Sequence, residues 1–479
     1  MALVVALRAP WFGAPLGNDE GGLTYVASNW HGSGGQLYGH DFLDRPPLVV
    51  TLFGLAAQTG GTAAVRTMGA LAAVSLVIVV ALIARELGGA RAGAWAALIA
   101  AILGSSILLG SVFTPAELLA VVPSAVSVLL LLIARRLSSG RLLAFGLAGL
   151  LAMAALLVKQ SFGDALLAGG AFLAMSAWLG QDERRAWLGA ALAYFGGVCV
   201  PLLCLGLWQG LDSSSDASLV YSLIGFRLDG LGALSGSDGG LLGRFAERLL
   251  LPLLGSGLAL TLFWSPVGLR QLKGQRVLRT TLAVWAIGGL AGVLLGGSYW
   301  SHYLIQLIPV AAVTAGLALS SSTWHRVRWS AAVLLSLAIA ATLIGPSTSR
   351  ALSSEDEAAL VGRYISERAD PRDSIYVRYS QPNITYYSGL RNPYRYNWSL
   401  MLRTIPGAER RLRSLLRSDR RPTWVVGWEG TNTYGLDVEG ATTRLIRGSY
   451  RRVGEVCGVP VLLSRGLTRP RASTDVDCG

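Results

Sequence analysis

Long apolar runs separated by short polar connections set the pattern of this chain. The runs lie near 63–84, 92–110, 116–134, 141–158, 162–180, 187–208, 249–267, 280–297, 302–319 and 329–345. Many are about 18 to 22 residues long, enough for a helix rising 1.5 Å per residue to cross roughly 30 Å of hydrocarbon. Each therefore predicts a membrane-spanning helix. A further apolar run, 47–58, is only about twelve residues long, too short to span comfortably, and predicts a helix lying in the membrane interface. Beyond residue 346 the pattern turns polar and arginine-rich. A helical period covers 355–368, opened by Ser353 or Ser354 with Glu357 in a capping-box position. Strand-like pieces follow at 374–378 and 423–427. The predicted architecture is an all-α polytopic membrane protein of about 10–11 transmembrane helices over 1–346, followed by a small C-terminal α/β domain over 347–479.

The connections are of two kinds. Those at 85–91, 135–141, 181–185, 270–279 and 325–328 are short and rich in arginine, whereas 111–115, 159–163, 209–248 and 296–301 carry far fewer positive charges. Retention of Arg and Lys on the cytoplasmic side places the first set inside and the second outside. Counting back along this alternation puts 17–62 outside, and counting forward makes the C-terminal domain extracytoplasmic. A spanning role for 47–58 would invert the order. The segment MALVVALRAPWFGAP should bring the chain outward, yet ALVVAL before Arg8 is too short to cross a bilayer. The expectation is either a chain start assigned too late or a short first helix supported by its neighbours. Roughly fifteen more apolar residues upstream of Met1 would restore a span.

Composition agrees with a membrane protein. The chain is 52% hydrophobic and 14% charged, with mean hydropathy +0.49, whereas soluble domains carry about 25% charged residues. The net charge of +13 is almost all arginine, since lysine occurs only at Lys159 and Lys273. Cytoplasmic loops account for such a surplus without a nucleic-acid partner. Cys199 and Cys204 read as small residues of an apolar span, and Cys457 and Cys478 could pair if the C-terminal domain is extracytoplasmic.

Against this background the ionisable residues near the N-terminus stand out. GNDEGGLTYVASNW (17–30) is followed closely by HDFLDRPPL (40–48). Asp19 and Glu20 precede Gly21-Gly22, read as a turn before a helix carrying Thr24 to Trp30. Asp19 near that helix's N-terminus would be favoured in its ionised form, as a general base for a hydroxyl requires; the alternative is a helix cap. Asp41, Asp44 and Arg45, with His40 beside them, precede Pro46-Pro47, whose rings stiffen the chain. Arg45, with Arg66 nearby, could hold a phosphate, or it could be a snorkelling interfacial arginine. Lys159 ends an apolar span on the outer side, where positive charge is otherwise sparse, and suggests an anionic ligand. His302 opens a span on the same face with Tyr299, Tyr303 and Gln306 nearby; an ordinary interfacial histidine is the alternative. Carboxylates that activate a hydroxyl, beside cations that hold a phosphate, describe group transfer from a phosphate-linked donor, which a lipid carrier would deliver from the bilayer.

The ordered set GNDEGG, LYGHDFLDRPPL, Arg66, Lys159-Gln160 and HYLIQLIP resembles the GT-C membrane glycosyltransferases, nearest to the protein mannosyltransferase and aminoarabinose transferase (dolichyl-phosphate-mannose-type, family 39-like) group. The segment YISERADPRDSIYVRYSQPNITYYSGL is similar to bacterial members that end in a small extracytoplasmic domain. The resemblance covers most of the chain. It implies a GT-C fold and an inverting glycosyltransferase of the cytoplasmic membrane. Such an enzyme moves a hexosyl or pentosyl group from a polyprenyl-phosphate sugar to a hydroxyl of a lipid, glycan or protein acceptor outside. Asp19 then matches the catalytic aspartate and Glu20 its acidic neighbour. Arg45 matches the cation before Pro-Pro that binds the donor phosphate, with Lys159, Arg66 and His302 beside it. His40, Asp41, Tyr299 and Gln306 would support the site. Asp44 and His302 match positions that can hold a divalent cation (Mg2+, Mn2+ or Zn2+) in some members. The chain departs from the family in its truncated first span and in loop 209–248, which carries no acceptor signature. Two other readings use the same residues. A transporter or flippase of a lipid-linked anion needs ionisable groups along a path through the bilayer, which the apolar spans largely lack apart from Glu117. A non-catalytic scaffold that binds lipid-linked sugar would follow if the short first span is genuine.

Overall fold

The computed structural model describes residues 1–30, 40–180, 184–211, 219–235, 243, 245–296, 298–320, 350–470 and 478. The expected span at 329–345 and the expected domain boundary at 346/347 lie outside them. Eight helices open the chain: α1 (Ala2–Arg8), α2 (Asn18–Asn29), α3 (Pro47–Leu103), α4 (Ala116–Ala134), α5 (Arg141–Val158), α6 (Asp164–Leu179), α7 (Arg184–Leu211) and α8 (Phe226–Ser235). With 57 residues, α3 is far longer than one bilayer crossing. It is broken at Gly60–Gly61 and at Gly89, where φ values of +57° (Gly61) and +79° (Gly89) turn the chain in a region glycine enters without a Cβ penalty. The piece ahead of Gly60 corresponds to the expected interfacial helix. The break at Gly89 falls within the expected connection at 85–91 and ends the second piece.

Among the described residues six helices are long and apolar enough to cross a membrane, counting α3 once, and a bent pair, 246–255 with 258–270, makes up to seven. That pair replaces the straight span expected at 249–267: the chain bends 72° there, with Gly257 at φ +81°. The most enclosed span, Ser301–Ser320, begins as a 3-10 turn and continues as the helix Ile308–Ser320 packed on α3. Small residues let backbones approach, the usual device of helix contacts in lipid. A Cβ on Gly149 of α5 would overlap the Tyr194 carbonyl of α7, and one on Gly197 would overlap the Gly146 carbonyl in return. The short α1 is anchored by Arg8, a buried side chain that donates to the carbonyls of Gly104 (3.4 Å), Ser111 and Phe113 (3.0 Å) beyond the end of α3. Carbonyls past a helix end lack intrahelical donors, and Arg8 supplies them.

The C-terminal domain holds the helix Arg350–Ser366 and a four-stranded sheet in the order β1-β2-β4-β3: β1 (Ile375–Val377), β2 (Trp424–Val426), β3 (Tyr450–Val456) and β4 (Val459–Ser464). β1 and β2 are parallel, and β4 runs antiparallel to both β2 and β3. The expected strands at 374–378 and 423–427 are β1 and β2. The β3–β4 hairpin was not foreseen. It turns at Cys457-Gly458, both with positive φ as such two-residue turns require. Cys457 and Cys478 form a disulfide with Cα atoms 5.4 Å apart. Val361, Ile365, Ile375, Trp424, Val461 and Leu463 form one core cluster of the domain, while Tyr376, Tyr394, Leu412 and Tyr450 belong to the core shared with the membrane helices.

This domain sits directly on α2 and the 40–46 segment. Asn383 donates to the Leu16 carbonyl (3.2 Å), the Asn392 N–H donates to the Tyr25 hydroxyl (2.8 Å), and the Phe42 N–H donates to the Arg395 carbonyl (2.9 Å). The expected turn at Gly21-Gly22 is corrected here: both glycines lie inside α2. A Cβ on Gly21 would overlap Asn383, and one on Gly22 would overlap the Trp398 ring. The pair is there for close approach, not for bending the chain.

Candidate active site

Asp19 and Glu20 are neighbours in α2 whose side chains leave the helix in different directions. Gly17 is the N-cap, and Glu20 closes the capping box by accepting the Gly17 N–H at 2.9 Å. Glu20 also accepts from the Thr114 N–H and from Arg66, and it is buried. Arg66, fully enclosed, further donates to the carbonyls of Ala14 and Pro15 and lies over the Phe113 ring at 5.0 Å. Two expectations are revised by this geometry. Glu20 carries the cap that was the alternative reading for Asp19, and its carboxylate is enclosed by protein donors. Arg66 spends its guanidinium on Glu20 and backbone oxygens, so it is not presented to a phosphate.

The Asp19 side chain is 45% exposed. One carboxylate oxygen accepts the Trp398 indole N–H at 3.1 Å, and the other faces Arg45 at 3.5 Å. Arg45 also holds Asp44 (2.8 Å), which Arg227 of α8 meets from the other side at 2.8 Å. Gln160, next to Lys159, donates to the Asp44 carbonyl at 2.8 Å and ties the 40–46 segment to the end of α5. Burial alone would raise the Asp44 carboxyl. The guanidiniums of Arg227 and Arg45, with Lys159, outweigh it and hold the group below the ordinary carboxylate range. Lys159 pairs with Glu117 at 2.8 Å and lies 5.3 Å from the centre of the Tyr303 ring, and His302 faces the same Glu117 oxygen at 3.7 Å. Asp19, Arg45, Asp44, Arg227, Lys159 and Glu117 thus form one chain of charges at one end of the bundle, with His302 beside Glu117.

The remaining expected positions have partners of their own. His40 meets the Pro393 carbonyl at 2.9 Å, and Tyr299 packs edge-on against Phe245. Gln306 is buried and donates to the Ser161 carbonyl at 3.1 Å. Asp41 is buried beneath the C-terminal domain, where it accepts from Asn397 at 2.8 Å; burial pushes its carboxyl up to about 7 despite that bond. Asp44 and His302 are not brought together as metal ligands, because Asp44 lies between two guanidiniums and His302 faces Glu117. Among the described residues no three His, Cys, Asp or Glu side chains converge on one point. The described residues therefore assemble no cation site in this arrangement.

Three site residues were not singled out from the sequence. Glu117 was noted only as the one ionisable group of the spans, itself a functional signal in a membrane helix. Arg227 is the single cation between 209 and 243, the same signal that drew attention to Lys159. Trp398 reaches the site from the other end of the chain and had no local signal at all.

No family model and no curated protein matches the sequence. Solved structures do match in fold. ArnT from Cupriavidus metallidurans bound to undecaprenyl phosphate aligns with a TM-score of 0.65 at 17% identity, over 98% of this chain and 99% of that one. The same protein in the apo state gives 0.66 at 15% identity, over 96% of each. The oligosaccharyltransferase AglB from Archaeoglobus fulgidus, in complex with an inhibitory peptide and a dolichol-phosphate, gives 0.50 at 14% identity, over 89% of this chain and 68% of that one. At such identities the likeness is one of fold: this chain is a multi-pass membrane protein with the GT-C fold that ArnT and AglB share.

Proposed function

We propose that the protein transfers a glycosyl group from a polyprenyl-phosphate donor to a hydroxyl acceptor, at the outer face of the cytoplasmic membrane. The observation that carries this reading is the half-exposed Asp19 carboxylate standing 3.5 Å from Arg45, with Arg227 and Lys159 close behind. A base and a set of cations are thus held together in one mouth. The acceptor hydroxyl gives its proton to Asp19 as its oxygen forms the new bond to C1 of the sugar. The bond from C1 to the phosphate oxygen breaks, and the anomeric centre inverts. The lipid phosphate leaves with the bonding pair, and Arg45, Arg227 and Lys159 stabilise the charge that develops there, the kind of preorganised electrostatic support that dominates many enzymes. Asp44 and Glu117 keep these cations in place.

The neighbours in fold support a lipid-linked donor by analogy, since one of them holds undecaprenyl phosphate and another dolichol-phosphate. The transporter reading fares less well. The site's ionisable groups gather at one end of the bundle rather than along a path through it. Membranes containing the protein, supplied with a panel of labelled undecaprenyl-phosphate hexoses and pentoses, should move label from one of them to an acceptor. Asp19→Asn should abolish that transfer while retaining undecaprenyl phosphate binding; unchanged transfer in that variant would overturn the proposal.

A further inference from the structure

The donor to Asp19 Oδ1 comes from the C-terminal domain, 379 residues further along the chain. We propose that Trp398 is a positioning residue for Asp19: its indole N–H fixes the carboxylate, and the base is complete only with the C-terminal domain seated on α2. The inference rests on the reading of Asp19 as the base and adds which part of the molecule orients it.

Five observations converge on this contact. The Trp398 Nε1 lies 3.1 Å from Asp19 Oδ1, while Arg45 faces Oδ2 as an ion pair at 3.5 Å, so each oxygen has its own partner and rotation of the carboxylate is opposed from both sides. The indole reaches that far because residue 22 is glycine: a Cβ there would overlap the six-membered edge of the ring at Cζ2 and Cη2. Gly21 makes the same allowance for Asn383, so two successive positions of α2 are kept bare for the C-terminal domain. The contact is also braced beside Asp19. Asn18 donates to Ser380 (3.2 Å), the Asn18 N–H meets Glu355 (3.3 Å), and Glu355 accepts from Asn383 (2.6 Å). Immediately ahead of Trp398, Asn397 ties the same loop to Asp41. A side chain held in this way orients a partner to within the fraction of an ångström that proton transfer demands. Among the described residues the membrane helices provide no second indole to Asp19; this donor belongs to the C-terminal domain.

The test uses the full-length protein with its tryptophans replaced by 5-fluorotryptophan. Trp398→Phe keeps the ring packing, removes the N–H and identifies the Trp398 resonance by its loss. That resonance should shift in Asp19→Asn; if it stays in place, the contact does not exist and the proposal is overturned, whichever sugar is transferred. Turnover gives the second readout, with the undecaprenyl-phosphate sugar that the native protein uses. Trp398→Phe should lower kcat by about 10- to 100-fold, the worth of a hydrogen bond to a charged group, with KM for the donor unchanged. Gly22→Ala, whose methyl displaces the indole, should give the same split, and the two changes together should cost no more than one. Fluorine spectra of the other tryptophans verify that each variant is folded. Native kcat in Trp398→Phe, with Asp19→Asn inactive, would overturn this inference and leave the parent reading standing. Full activity in Asp19→Asn would instead remove the parent reading.

Discussion

Two adjacent carboxylates, Asp19 and Glu20, belong to two different charge clusters, and the contrast shows how one turn of helix can serve both stability and chemistry. Glu20 faces inward, its side chain 6% exposed, and meets an arginine that is 2% exposed; both are saturated by backbone groups of the 14–17 segment and Thr114. Asp19 is one position away but 45% exposed, and its partners are a tryptophan from another domain and an arginine of the site mouth. A buried pair of the first kind is costly to break because removing one member strands the other in low dielectric. A half-solvated pair of the second kind contributes little to folding and stays open to a substrate.

Removing either member of the inner pair should have the largest effect on stability. Arg66→Ala or Glu20→Ala should destabilise the protein by about 3–5 kcal/mol, a large share of a typical folding free energy. Thermal unfolding in detergent measures this, and a melting temperature equal to the native one would contradict the division of roles. Asp19→Asn should unfold within about 1 kcal/mol of native in the same experiment.

The cations around Asp44 come next. Arg45→Ala and Arg227→Ala should each lower transfer by about 10²-fold, the order expected on losing one donor to a developing anion. The double variant should lose less than the product of the two, because the guanidiniums share Asp44 and, in the proposed reaction, would act on one phosphate. Initial rates with labelled donor decide it; strict additivity would place the two at separate sites.

A further effect on stability concerns the seam between the domains. Burial pushes the carboxyls of Asp41 and Glu355 up to about 7, against hydrogen bonds from Asn397 to the first and from Asn18 and Asn383 to the second. An unfolded chain releases these protons near pH 4, so in the range above that the folded state binds more protons. The resulting stabilisation is full below about pH 4 and is lost as the pH rises through about 7. Melting temperatures between pH 4 and pH 8 should fall with rising pH on account of these groups, and Asp41→Asn with Glu355→Gln should flatten the slope. An unchanged slope in the double variant would locate the titration elsewhere.

The membrane fold was largely legible because bilayer thickness imposes a length on every apolar run, and α4, α5 and Arg276–Leu295 follow their runs closely. Glycine was harder to read. Gly61 and Gly89 do turn the chain, whereas Gly21 and Gly22, equally suggestive of a turn, stay helical and make room for another domain. A sequence marks where a side chain is missing but not what fills the space. The site was legible where charge was out of place, as at Lys159 in a connection otherwise poor in cations. It was not legible at Trp398, since a tryptophan in a polar segment reads equally well as core. The resemblance set Asp19 apart from Glu20, but the reason lay outside the sequence: which carboxylate faces the site depends on the rotation of α2 under Asn383 and Trp398.

The central claim is that Asp19, not Glu20, faces the reacting hydroxyl. The most direct test is the initial rate of label transfer by Asp19→Asn, per molecule of folded protein, from the undecaprenyl-phosphate sugar the native protein uses. The account predicts a fall of about 10² to 10⁴, the range for losing a general base, with undecaprenyl phosphate binding and the melting temperature kept. A native rate in Asp19→Asn would contradict it.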